Sequence, residues 1–108
     1  MKNLAEAETQ LREAIKKNDN SWTAHLYLGI SLGKLHNLDE AEKELQRSLS
    51  IGGDNLSLPH YYLGGIYWEK SKHKRAADEL EKFLHLAPKA PDAERVRATI
   101  KELRSKQS

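Results

Sequence analysis

Cysteine is absent from this chain of 108 residues. That excludes disulfide scaffolds, cysteine-based zinc sites and thiol nucleophiles together. Long apolar runs are also missing, so no segment reads as a membrane span. The opening residues Met1, Lys2, Asn3, Leu4, Ala5 and Glu6 lack the apolar stretch of a secretory signal, and a cytoplasmic setting is expected for this segment. Neither charge sign dominates, with 18 Lys/Arg against 16 Asp/Glu for a net charge of +2. A nucleic-acid binder usually carries a basic stripe and a higher charge. Two catalytic signatures are missing as well: no H-E-x-x-H and no phosphate-cradling glycine loop. The expectation is a non-enzyme without a cofactor or metal.

What remains is 38% hydrophobic and 31% charged, enough apolar material for a thin core in one domain spanning residues 1–108. Charge is uneven along it. Residues 1–54 hold seven Lys/Arg and nine Asp/Glu, whereas residues 55–108 hold eleven and seven, for nets of −2 and +4. The densest basic run, Lys70 to Arg75, reads as an exposed helix end and turn. Its alternative role is to bind nucleic acid or another anionic surface together with the basic last helix.

A fixed period organises the chain. Shifted by 35, residues 22–52 fall on 57–87, and His25, Tyr27, Leu28, Gly29, Ala41, Glu44, Leu45 and Leu49 meet identical residues at 60, 62, 63, 64, 76, 79, 80 and 84. Residues 4–18 repeat onto 38–52 in the same manner at a shift of 34. The units run 4–18 (a half unit), 21–53 and 57–88, with a tail at 90–106.

Each whole unit reads as two helices. Leu28, Leu32 and Leu35 recur at helical spacing, as do Leu38, Ala41, Leu45 and Leu49, with Leu63, Ile66 and Tyr67 and then Ala76, Leu80, Phe83 and Leu84 in the next copy. Ser21 is placed to cap one helix, Asp39 with Glu42 to cap the next, and Gly52-Gly53 to stop it. Pro59 suits a first helical turn, Pro88 follows a helix, and Pro91-Asp92 opens a last one carrying the stripe Ala93, Val96, Ile100 and Leu103. Gly29 and Gly64 lie inside helices, each at a cost of about 1 kcal/mol relative to alanine. Repetition of that cost predicts a close helix crossing, with Ala41 and Ala76 as small partners.

His25-x2-Leu28-Gly29-x2-Leu32 with Ala41-x3-Leu45, and His60-x2-Leu63-Gly64-x2-Tyr67 with Ala76-x3-Leu80 and Pro88, resemble the tetratricopeptide repeat. Histidine replaces the family's aromatic at both first positions, and Gly53 stands where its proline would be. The resemblance covers residues 4–88 and implies an all-α, right-handed helix–turn–helix solenoid: half a unit, two units and a C-terminal capping helix. Repeat packing then falls to Leu28, Gly29, Ala41, Leu45, Leu63, Gly64, Tyr67, Ala76, Leu80 and Pro88.

The resemblance also implies a scaffold that binds a peptide, a partner domain or a second copy of itself through the concave face of its first helices. The groove residues would be Thr23, Leu26, Tyr27, Ile30 and Lys34 in the first whole unit, and Leu58, Tyr61, Tyr62, Gly65, Trp68 and Glu69 in the second. Where chaperone-binding members hold a carboxylate with Lys, Arg and Asn, the corresponding positions here are Thr23, Leu26, Tyr27, Ile30, Leu58, Tyr61, Tyr62 and Gly65. None of them is Lys, Arg or Asn, so a carboxylate clamp is not expected and an apolar or aromatic contact is favoured. His25 and His60 lack a third ligand at i+3 or i+4 and read as packing residues. His36, His73 and His85 read as turn or surface residues, and Glu40, Glu44 and Glu42 as a solvated face. The half unit leaves Leu4, Leu11 and Ile15 short of cover, which predicts a longer array or self-association through the N-terminal helix.

Overall fold

Apolar residues three and four apart wind the chain into helices, and glycine, proline and left-handed turns end them. The structure, a computed structural model, describes residues 3–106. Among these are six helices, α1 (Leu4–Lys17), α2 (Trp22–Lys34), α3 (Leu38–Gly52), α4 (Ser57–Glu69), α5 (His73–Leu86) and α6 (Ala93–Lys106), and no strand. The backbone forms two compact units, Met1–Asp54 and Asn55–Ser108.

In the first unit, α2 packs on both α3 and α1. The Ser21 hydroxyl accepts from the Ala24 N–H at 3.2 Å, which starts α2. α2 ends in a Schellman turn: His36 sits at φ 64° and the Asn37 N–H reaches the Leu32 carbonyl at 2.9 Å. α3 begins at Leu38, one residue ahead of the expected Asp39 cap; Asn37 holds the cap position, and Asp39 lies in the first turn beside Glu40, where acids suit the helix dipole. Gly53, at φ 101°, ends α3 with its N–H on the Leu49 carbonyl at 2.7 Å.

The unit's core is Leu26, Leu28, Leu32, Ala41 and Leu45, all nearly or fully buried. At Gly29 the two helices meet closely. A Cβ there would lie 2.8 Å from Leu45 Cγ and 3.3 Å from the Ala41 carbonyl oxygen. Ala41 thus contributes its backbone to the crossing, and Leu45 fills the space beside the glycine. α1 buries no residue fully; Leu4, Leu11 and Ile15 are half-buried, and Arg12 Nη2 ties it to Glu40 Oε2 at 2.7 Å.

The second unit repeats the helix pair, and its third helix follows the pair where α1 precedes it. Pro59 falls in the first turn of α4, where its missing N–H has no intrahelical partner to lose. Ser71, at φ 61°, closes α4 as His36 closes α2. A Cβ on Gly64 would meet Leu80 Cγ at 2.7 Å, the counterpart of the Gly29 crossing. α6 buries Ala93, Val96, Ile100 and Leu103, packs on α5, and is pinned by Arg104 Nη2 to Asp78 Oδ1 at 2.9 Å. Pro88 is exposed in the turn after α5, two residues past the helix end, so it lies outside the buried core of the repeat.

Candidate interaction surface

Helices α4 and α6 both rest on α5, and the space between their facing sides is a pocket of about 420 Å³. α4 lines it with Tyr61, Tyr62, Gly65 and Trp68, spaced so that one helix face presents all four. Leu80 of α5 contributes from between the two helices, and α6 adds Arg95, Val96 and Thr99. The aromatic wall is braced from behind. Tyr61 packs against Phe83 at 5.0 Å between ring centroids and meets Tyr62 edge-on at 5.2 Å. Trp68 is 42% exposed, a large apolar group left open to solvent.

Gly65 differs in kind from its neighbour Gly64. A Cβ built on Gly65 meets nothing within 4 Å, whereas one on Gly64 would strike Leu80. No packing contact inside the second unit therefore asks for glycine at 65, and its bare backbone widens the pocket.

Of the residues the sequence marked for the groove, Tyr61, Tyr62, Gly65 and Trp68 come together in this pocket, while Leu58 (46% exposed) and Glu69 lie outside its lining. In the first unit Thr23, Tyr27 (53% exposed) and Lys34 are exposed and Ile30 is half-buried. Leu26 is corrected: at 2% exposure it belongs to the core and offers no surface to a ligand. Arg95, Val96 and Thr99 were missed as groove residues because they come from α6, which lies outside the two whole units read from the sequence. Val96 carried a signal, as one of the α6 stripe.

The two repeated histidines are also more than packing residues. His25 and His60 are each 4% exposed, and each meets a carboxylate nineteen residues on: Nδ1 lies 2.6 Å from Glu44 Oε1 in one and 2.7 Å from Glu79 Oε1 in the other. Glu44 and Glu40, read from sequence as solvated, are both engaged, the latter with Arg12 and Asn37. Burial works against charge on the His25 ring, but hydrogen bonds to Glu44 and to the Asp19 carbonyl, with the nearby carboxylate charge, outweigh it and raise its pKa.

The basic run is partly engaged within its own unit. The Arg75 guanidinium stacks 4.6 Å from the Tyr67 ring centroid, and Lys74 pairs with Asp78 at 3.1 Å. On α6, Arg97 pairs with Glu94 and Arg104 with Asp78 and Glu81. Among the described residues no helix is long and apolar enough to cross a membrane.

The sequence profile of the tetratricopeptide repeat matches residues 1–55, just over half the chain. The chain belongs to the tetratricopeptide repeat family. As a tetratricopeptide repeat protein, it is a protein–protein interaction module. No curated protein matches it in sequence. Among solved structures, the tetratricopeptide domain of Arabidopsis OM64 superposes with a TM-score of 0.88 at 22% identity, covering 98% of this chain and 84% of that one. The Yersinia enterocolitica type III secretion chaperone SycD, in complex with a peptide of the translocator YopD, gives 0.87 at 13% identity, covering 98% and 83%. MamA gives 0.76 at 18%, covering 95% and 70%. At these identities the likeness is one of fold, and it sets the all-α, tetratricopeptide-like class.

Proposed function

We propose that this tetratricopeptide repeat protein is a non-catalytic scaffold that docks a peptide segment of a partner protein on the first-helix face of its second unit. The observation that carries the reading is the α4–α6 pocket, walled by aromatic side chains and widened by Gly65. Rigid aromatic rings give large contact area at low entropic cost, and an exposed tryptophan beside a preformed apolar pocket suits a binding anchor. The complex of SycD with a translocator peptide is in keeping with this mode of use.

The test starts from peptides selected from a random display library on the immobilised protein. Trp68→Ala and Tyr62→Ala are expected to weaken the selected peptides by about 2 kcal/mol, as anchor truncations do. Helix content by circular dichroism should stay close to wild type. A folded Trp68→Ala protein that binds the same peptides with undiminished affinity would overturn the docking site.

A further inference from the structure

Resting on the docking reading above, we infer that the pocket selects an acidic peptide, one whose bulky apolar side chain enters beside Gly65 while a neighbouring Asp or Glu meets Arg95. The pocket's lining is apolar or hydroxyl-bearing except for one charged side chain, the Arg95 guanidinium. That group is held in place but far from used up. Its Nη2 bonds Asp92 Oδ2 at 3.1 Å, and its side chain remains 72% exposed. A guanidinium carries five N–H donors in a planar fork that suits a carboxylate, so a second acid can be accepted alongside Asp92.

The wider field has the same sign. Residues 55–108 carry eleven Lys/Arg and seven Asp/Glu, a net of +4, whereas residues 1–54 carry a net of −2. A positive unit draws acidic segments to itself and repels basic ones. The apolar part of the ligand is set by Gly65. With nothing within 4 Å of its Cβ position, the space next to Trp68 and Tyr61 admits a side chain of the ligand. The acidic preference thus comes from the last helix and the apolar anchor site from α4.

The probe is a random peptide display library panned on the wild type, with Gly65→Leu as the counter-selection, since a leucine there grows into the pocket from a helix that gains by the change. Enriched peptides are expected to pair a bulky apolar residue with an acidic one. Exchanging that acid for its amide should cost about tenfold on the wild type and little on Arg95→Gln, and binding should weaken with salt. Neutral or basic enriched peptides, or indifference to the acid-to-amide exchange, would overturn acidic selection while leaving the pocket as a peptide site. Failure to enrich anything over Gly65→Leu would overturn both. Sedimentation supplies the remaining outcome: a wild-type dimer that Gly65→Leu abolishes would mean that a second copy occupies the pocket, against the proposal.

Discussion

His25 Nδ1 stands 2.6 Å from Glu44 Oε1, and on the other side of the ring His25 Nε2 lies 3.0 Å from the Asp19 carbonyl oxygen and 3.2 Å from its carboxylate. A backbone carbonyl only accepts, so Nε2 carries a hydrogen. The Nδ1 side faces a carboxylate, and the contact needs a proton between them. The doubly protonated ring satisfies every partner at once. It ties the α1–α2 turn to α3, and Arg47 steadies Asp19 from 3.4 Å.

Stability should therefore depend on pH in a defined direction. The folded His25 pKa is raised above its ordinary 6.5, so the stabilising charge is fully present below 6.5 and is lost as pH rises through the higher folded value. The melting temperature of the wild type is expected to fall, as pH rises above 6.5, by more than that of His25→Gln. Parallel pH profiles for the two proteins would contradict this, and the His25 ring resonances followed by NMR give the pKa directly.

Adjacent glycines should respond to alanine with opposite signs. Gly65→Ala adds a Cβ to open space and relieves the conformational cost of helical glycine, for a gain of about 0.5–1 kcal/mol. Gly64→Ala places a Cβ 2.7 Å from Leu80 Cγ, and overpacking of this kind costs about 1–3 kcal/mol, which exceeds the propensity gain. Urea denaturation of the two variants measures both. Equal shifts would refute the crossing geometry.

Ser48 is fully buried on α3, and its hydroxyl has no hydrogen-bond partner among the described residues. An unsatisfied buried hydroxyl costs about 1–3 kcal/mol. Ser48→Ala removes the oxygen and leaves almost the same volume, so it is expected to stabilise the first unit by about 1 kcal/mol. A loss of stability in the same denaturation assay would show that the hydroxyl has a partner after all.

His36 and Ser71 occupy equivalent turns with φ of 64° and 61°. Left-handed backbone costs a side-chain-bearing residue roughly 1 kcal/mol relative to glycine. Ser71→Gly is expected to recover most of that, as a rise in the denaturation midpoint with unchanged slope. No change would mean that the serine side chain repays the strain.

Much of the fold was legible because its causes are local. The apolar spacing within each helix, the Ser21 cap and the Gly53 stop act over a few residues, the 35-residue period repeats them, and the helices they imply are the helices found. Gly29 and Gly64 signalled the crossings by sitting where a helix resists glycine. Tertiary structure decided the rest. His25 with Glu44, and His60 with Glu79, repeat in the sequence as letters, but a bond across nineteen residues exists only once two helices cross at one particular rotation. Leu26 went to the core although its neighbour Tyr27 stayed exposed, a choice set by which stripe of α2 its packing partners cover. Arg95 and Thr99 joined the α4 aromatics because of the way α6 lies on α5. Side-chain ridges and grooves fix that docking angle, and no spacing within a single helix encodes it.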